Sequence, residues 1–283
     1  MKAHMTRLTQ SFAGVITIAA IGLMLTMSSH ADAASLTLVE DTFTDAGSGT
    51  FVVAAPGADR TPEQTIAGRA WLQSQTTSAG SSFESSVSGG RAHLETNLGA
   101  AVDITSTGGY VKPTRFDIEL TFNLDGVTNN TPPRDGRGAY LGFWSSLPTT
   151  GDSIGNMRGV FVNPEDGQLH LWDGASASNS TSLQNLAYNG TWDASADHTL
   201  SFHIDTTTGD ITDFVLDATA YNWAPTTIFT DANTQLAGFG LSAAAANETA
   251  DFDNFRLSTI PTPAALPAGL MIMGLLTLKR SRL

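Results

Sequence analysis

Arg115-Phe-Asp-Ile-Glu-Leu-Thr-Phe-Asn-Leu124 is the stretch that decides the fold. Phe116, Ile118, Leu120 and Phe122 share one parity, and Arg115, Asp117, Glu119 and Thr121 share the other. A period of two belongs to a β-strand with one face in a core and the other in water. On its C-terminal side, Asp125 to Gly138 contains Asn-Asn, Pro-Pro and Asp-Gly, which makes it a loop. Ala139-Tyr-Leu-Gly-Phe-Trp144 then returns to a strand.

Two hairpins follow. Gly159-Val-Phe-Val162 and Gln168-Leu-His-Leu-Trp172 flank Asn163-Pro-Glu-Asp-Gly167, and Thr199 to Ile204 and Asp210 to Val215 flank Asp205-Thr-Thr-Thr-Gly209. In each, a short polar run ending in glycine joins two alternating apolar runs, which predicts a turn closed by a left-handed glycine. Leu236 to Leu241 and Ala250 to Leu257 give two closing strands. Toward the N-terminus, Leu36 to Phe43, Phe51 to Val53, Arg91 to Glu95 and Ala100 to Thr105 read as short strands. Ser74 to Gly90 is so rich in Ser, Thr and Gly that it reads as a surface loop or a weak edge strand. Between the two ends of the chain nothing repeats every 3.6 residues over a helical length. The fold class is therefore all-β, a single jelly-roll β-sandwich over residues 34–259. Such a length suits one all-β domain of ~200–250 residues.

Fourteen Lys plus Arg stand against 27 Asp plus Glu, a net charge of −13. An acidic chain with few lysines argues against nucleic acid and anionic lipid surfaces as partners. There is no cysteine, so disulfides and thiol catalysis are excluded.

Both ends read as processing segments, an N-terminal signal helix and a C-terminal apolar helix flanking the sandwich. Residues 1–33 have the form of a secretory signal peptide. Lys2 and Arg7 are its basic start, Phe12 to Met27 its apolar centre, and Ala31-Asp32-Ala33 a small-x-small cleavage site ahead of Ala34. Residues 260–283 begin with Ile260-Pro261-Thr262-Pro263, continue through the apolar run Ala264 to Leu278, and end with Lys279, Arg280 and Arg282. At ~1.5 Å per residue that run reaches roughly 22 Å, a short span against a ~30 Å hydrocarbon core. Its basic end should stay cytoplasmic.

This C-terminal segment resembles the exosortase-type (PEP-CTERM) sorting signal, in the variant with Pro-Thr-Pro followed by Ala-Ala-Leu-Pro-Ala-Gly-Leu. Thr262 stands where that signal usually has glutamate. The resemblance implies transient anchoring in the inner membrane, processing by an exosortase-like protease, and a final place at the cell surface or outside it. In that family such proteins accompany exopolysaccharide production. Separately, the opening Glu40-Asp41-Thr42-Phe43 and the closing Asp253-Asn254-Phe255-Arg256-Leu257 resemble the ends of a concanavalin-like (laminin-G-like) jelly roll.

Four candidate chemistries follow from the residues. Glycoside hydrolysis needs two carboxylates about 5–10 Å apart across the scissile bond. Jelly-roll glucanases supply theirs as Glu-x-Asp-x-Glu, and Asp117-Ile118-Glu119 comes nearest, but Arg115 fills the first position. No catalytic residue is assigned on that basis. His93, His170, His198 and His203 show no metalloprotease spacing, and no Gly-x-Ser-x-Gly elbow is present. A structural calcium ion could be held by Glu40, Asp41 and Asp253 if the first and last strands pair, because Asp253 shares parity with Phe255 and Leu257. Glycan binding would use exposed tryptophan faces. All five tryptophans lie between the end segments, and Trp172 and Trp192 are the expected platform.

The expectation is an exported, non-catalytic surface or matrix protein, with weak exopolysaccharide binding left open. The alternatives are a secreted carbohydrate-active enzyme of the glycoside hydrolase kind and a purely structural surface-coat module that recognises no glycan.

Overall fold

The computed structural model describes residues 35–44, 61–73, 85–95, 98–127, 137–146, 156–174, 183–242 and 248–260. Leu36–Ile260 form one compact unit. Its strands, numbered in chain order, make two antiparallel sheets. The eight-stranded sheet runs β13 (Thr219–Tyr221), β12 (Asp210–Leu216), β11 (His198–Asp205), β6 (Arg115–Asn123), β15 (Thr249–Thr259), β4 (Arg91–Glu95) and β3 (Ser85–Ser88), with β1 (Thr37–Asp41) also paired to β15. The seven-stranded sheet runs β10 (Gln184–Leu186), β9 (Leu169–Trp172), β8 (Arg158–Val162), β7 (Gly138–Trp144), β14 (Leu236–Ser242), β5 (Gly99–Asp103) and β2 (Trp71–Gln73). Two such sheets face to face make the sandwich that the alternation predicts.

β6 is the central example. Phe116, Ile118, Leu120 and Phe122 are all buried, while the residues between them are half-exposed. In register on β11 lie Ile204, Phe202, Leu200 and His198. Facing them across the sandwich are Leu141 and Phe143 of β7 and Phe239 of β14, all in the same apolar core. Each such side chain contributes roughly 1.5–3 kcal/mol by leaving water.

The seven-stranded sheet is different, because β7 and β14 are buried at every position. Ala101, Tyr140, Trp144, Met157, Phe161, Trp172 and Leu236 form a second buried cluster apart from the main core. Both faces of this sheet are therefore apolar or small. Gly238, Gly142 and Gly159 stand in register across three strands of it.

Both expected glycine turns are present. Gly167 (φ 67) donates to the Asn163 carbonyl and Gly209 (φ 83) to that of Asp205, at 2.9 and 2.7 Å. A third hairpin, between β12 and β13, turns on Asp217 and Ala218, both at positive φ. Three strands were not expected: β2, β10 and β13. Each has three residues and lies at the edge of a sheet, where pairing with one neighbour, rather than an alternating pattern, defines it. β3 is the weak edge strand expected within Ser74 to Gly90. Phe51 to Val53 lies outside the described residues.

β1 and β4 lie end to end along one side of β15. Thr37–Asp41 pair with its C-terminal part and β4 with its N-terminal part. Between these two pairings β15 carries a bulge at Asp253 and Asn254, with Asn254 at φ 50. The start and the end of the sandwich meet here as well. The Leu36 amide donates to Thr259 Oγ1 at 3.1 Å, and the Thr259 amide donates to the Leu36 carbonyl at 2.9 Å.

Candidate functional site

The bulge in β15 corrects the parity argument for calcium. Phe252 and Phe255 both face the core, three residues apart, and the extra residue turns Asp253 outward opposite Thr121. Asp41 faces inward and is fully buried, accepting the Trp71 indole N–H at 2.8 Å and the Phe43 amide at 2.9 Å. Glu40 sits opposite Arg256 on the other face. Asp41 thus points into the core while Glu40 and Asp253 lie on the outer side, and among the described residues no group of three or more His, Asp or Glu could hold a metal ion. Asp253 has its carboxyl pushed above the ordinary range by burial, opposed by the Asn254 amide it accepts at 2.7 Å.

Trp172 also requires correction. It is 2% exposed and packs edge-on against Phe161, ring centroids 5.5 Å apart, so it offers no sugar platform. Its position on β9, in register with Gly159, leaves room for the indole above a residue without a side chain. Trp192 is half-buried. Its ring stacks on His198 at 3.9 Å, its Nε1–H donates to the Pro164 carbonyl at 2.9 Å, and a Cβ on Gly167 would come within 2.4 Å of it. The indole is a wedge between loop and sandwich rather than an open face.

Around Trp192 lies a cluster that sequence reading missed, at the edge where β10 and β13 come together. Asp217, at the β12–β13 turn, collects His198 Nδ1 (2.7 Å), the Tyr188 hydroxyl (2.9 Å) and the Thr199 amide (3.0 Å). His198 Nε2 lies 2.8 Å from the Asp193 carbonyl, so both ring nitrogens of this buried histidine are taken up. The Tyr188 phenol is pushed up to about 12, first by burial and then by its bond to Asp217. Gln184 of β10 exchanges two hydrogen bonds with the backbone of Ala224, at 2.7 and 3.0 Å, and the Tyr221 hydroxyl accepts the Asn189 amide. Tyr188, Tyr221 and Trp223 are half-buried along this edge, beside exposed Asn189 and Asp193. Tyr188 and Trp223 sit in irregular segments and Tyr221 ends the three-residue strand β13, none with a period, which hides them from a pattern search.

The enzymatic candidates are occupied. Glu119 pairs with Arg256 at 3.0 Å, Asp117 lies 3.4 Å from His203, and Arg115 pairs with Asp205 at 3.4 Å. This is a partly solvated, cross-strand network on the outer side of the eight-stranded sheet, in which Arg115, Arg256 and His203 are set against Asp205, Glu119 and Asp117. The sorting and cleavage residues Ala31, Ala33, Pro261, Thr262, Pro263, Lys279, Arg280 and Arg282 lie outside the described residues. Ile260 is the last described residue, its amide donating to the Arg115 carbonyl at 3.2 Å. Among the described residues no helix is long and apolar enough to cross a membrane.

No protein-family model matches the chain, and no curated protein matches it in sequence. Several solved structures are similar at low identity. Domain 4 of an extracellular arabinanase from Geobacillus stearothermophilus, in complex with arabinotriose, is 12% identical over 82% of this chain and 96% of its own, with TM-score 0.44. An endo-1,3-beta-glucanase from Streptomyces sioyaensis is 11% identical over 81% and 97%, with TM-score 0.45. Arcelin-5, a lectin-like defence protein from Phaseolus vulgaris, is 11% identical over 68% and 98%, with TM-score 0.43. The sandwich assignment rests on the strand pairing itself.

Proposed function

We propose that this is an exported, non-catalytic surface or extracellular-matrix protein, addressed by its C-terminal segment and making weak contacts with polysaccharide. The observation that carries the reading is the boundary at Leu36 and Thr259. These two residues hydrogen-bond to each other, and the Pro-Thr-Pro signal begins two residues after Thr259. Proline has no N–H to extend a ladder, so the last strand and the signal are separate by chemistry. Cutting at either end would leave every strand pair of the sandwich intact. The ion-paired state of Asp117 and Glu119 supports a non-catalytic module over a glycoside hydrolase. Polysaccharide contact is assigned to the half-buried edge of Tyr188, Tyr221 and Trp223.

Intact-mass analysis of cell and medium fractions from an exosortase-bearing host tests the address. Loss of residues 1–33 together with the segment after Pro263 is the expected result. A full C-terminus retained in the membrane fraction would overturn processing and leave a tail-anchored periplasmic domain.

A further inference from the structure

On the outer side of the eight-stranded sheet one imidazole is set between carboxylates from its two neighbouring strands. His203 of β11 presents Nδ1 to Asp213 Oδ2 of β12 at 2.9 Å and Nε2 to Asp117 Oδ1 of β6 at 3.4 Å. A neutral imidazole carries one N–H and can donate to one of these acceptors, whereas an imidazolium donates to both. The two carboxylates do not depend on it equally. Asp117 also has Ser258 Oγ at 3.4 Å and the Arg256 guanidinium of β15 at 3.9 Å. Asp213 has Thr212 Oγ1 at 3.3 Å. Asp213 also stands at φ 48, in the bulge where the β11–β12 register shifts between Ser201 and His203. A non-glycine residue in that region needs its surroundings to hold it. The remaining charges nearby, Arg115 with Asp205 and Arg256 with Glu119, are paired with each other.

We propose that His203 is a pH-released clasp, holding the β12 bulge and the β12–β13 edge onto β6 in mildly acidic surroundings and freeing them as the medium turns alkaline. The Asp117 hydrogen bond first, with the charges of Asp117 and Asp213 and against burial, raises the His203 pKa above its ordinary 6.5. A folded-state pKa above the unfolded one gives stability that is complete below about 6.5 and is lost as pH rises through the folded value. Asp and Glu with ordinary values stay charged throughout that window and do not themselves contribute to the change.

The test is hydrogen exchange of the full chain at about pH 5.5 and about pH 8.5, corrected for intrinsic rates, in the wild type, His203→Gln and Asp213→Asn. The wild type should lose protection over residues 210–221 at the higher pH relative to β14. Both variants should show the same protection at the two pH values. An unchanged wild type, or a pH-dependent loss retained in His203→Gln, would overturn the clasp. Should His203→Gln fail to fold, Asp213→Asn decides by the same comparison.

Discussion

Trp71, in the seven-stranded sheet, donates its indole N–H at 2.8 Å to Asp41, in the eight-stranded sheet, so a polar bond crosses the core of the sandwich. Around it stand Phe43, Phe239 and Phe255, with Trp71 centroids 6.3, 5.3 and 5.1 Å from theirs. A buried carboxylate without partners would be costly, but here two N–H groups meet it, and the second, from Phe43, fixes a bulky residue at φ 53.

Asp41→Ala should therefore cost roughly 3 kcal/mol or more, because two charge-assisted bonds of ~1.5–3 kcal/mol are lost and two donors stay buried. Asp41→Asn keeps one acceptor oxygen and should cost less. Urea unfolding at neutral pH ranks the three proteins. Equal stability of the Ala and Asn variants would refute the hydrogen-bonding account.

Gly240 of β14 is opposite Tyr140 of β7, whose hydroxyl donates to the Leu98 carbonyl at 3.1 Å. A Cβ on Gly240 would lie 2.1 Å from that hydroxyl and 2.4 Å from the Leu98 carbonyl oxygen. Gly240→Ala should then destabilise by ~1–3 kcal/mol, the usual cost of overpacking. Thermal unfolding should place it below Gly68→Ala, a position where a Cβ meets nothing and only the positive φ opposes it.

Much of the sandwich was legible because burial on one face of a strand imposes a period of two. β6 and the Gly167 and Gly209 turns show that rule at work. Edge strands of three residues cannot display a period, and the Asp217–Ala218 turn has neither Gly nor Asn to announce it. The parity assignment of Asp253 failed for a related reason: a bulge adds one residue and reverses the face of everything beyond it. Trp172 was misplaced because the second face of the seven-stranded sheet is also buried, whereas alternation with polar neighbours usually marks an exposed side. Asn189 and Asp193, two polar residues of the aromatic edge, were visible as loop residues and Tyr188 precedes Asn189 directly, but Tyr221 and Trp223 are brought there by tertiary structure alone.

Binding to polysaccharide should follow exposure rather than tryptophan count. Trp223→Ala and Tyr221→Ala should each weaken retention on a polysaccharide affinity gel, because an aromatic face on which sugar stacks is lost. Trp172→Phe removes a buried indole whose N–H finds no hydrogen-bond partner among the described residues and should leave retention unchanged. Loss of retention in Trp172→Phe with normal folding would move the site to the seven-stranded sheet.

Acid should loosen the contact in which Arg91 of β4 grips Asp197, just before β11, in a two-pronged pair at 2.7 and 2.5 Å. The Arg91 hydrogen bond is the main cause that holds the Asp197 carboxyl below its ordinary 3.8, helped by Asn123. A depressed folded-state pKa gives stability that is present above about 3.8 and lost as pH falls through the folded value. The pair is partly exposed, with 46% of the Asp197 side chain accessible, so salt should weaken it. Arg91→Gln should consequently flatten the fall in stability between about pH 4 and pH 2, most clearly at low ionic strength. Matching acid profiles for the variant and the wild type at low salt would mean that the pair is geometrically close but energetically silent.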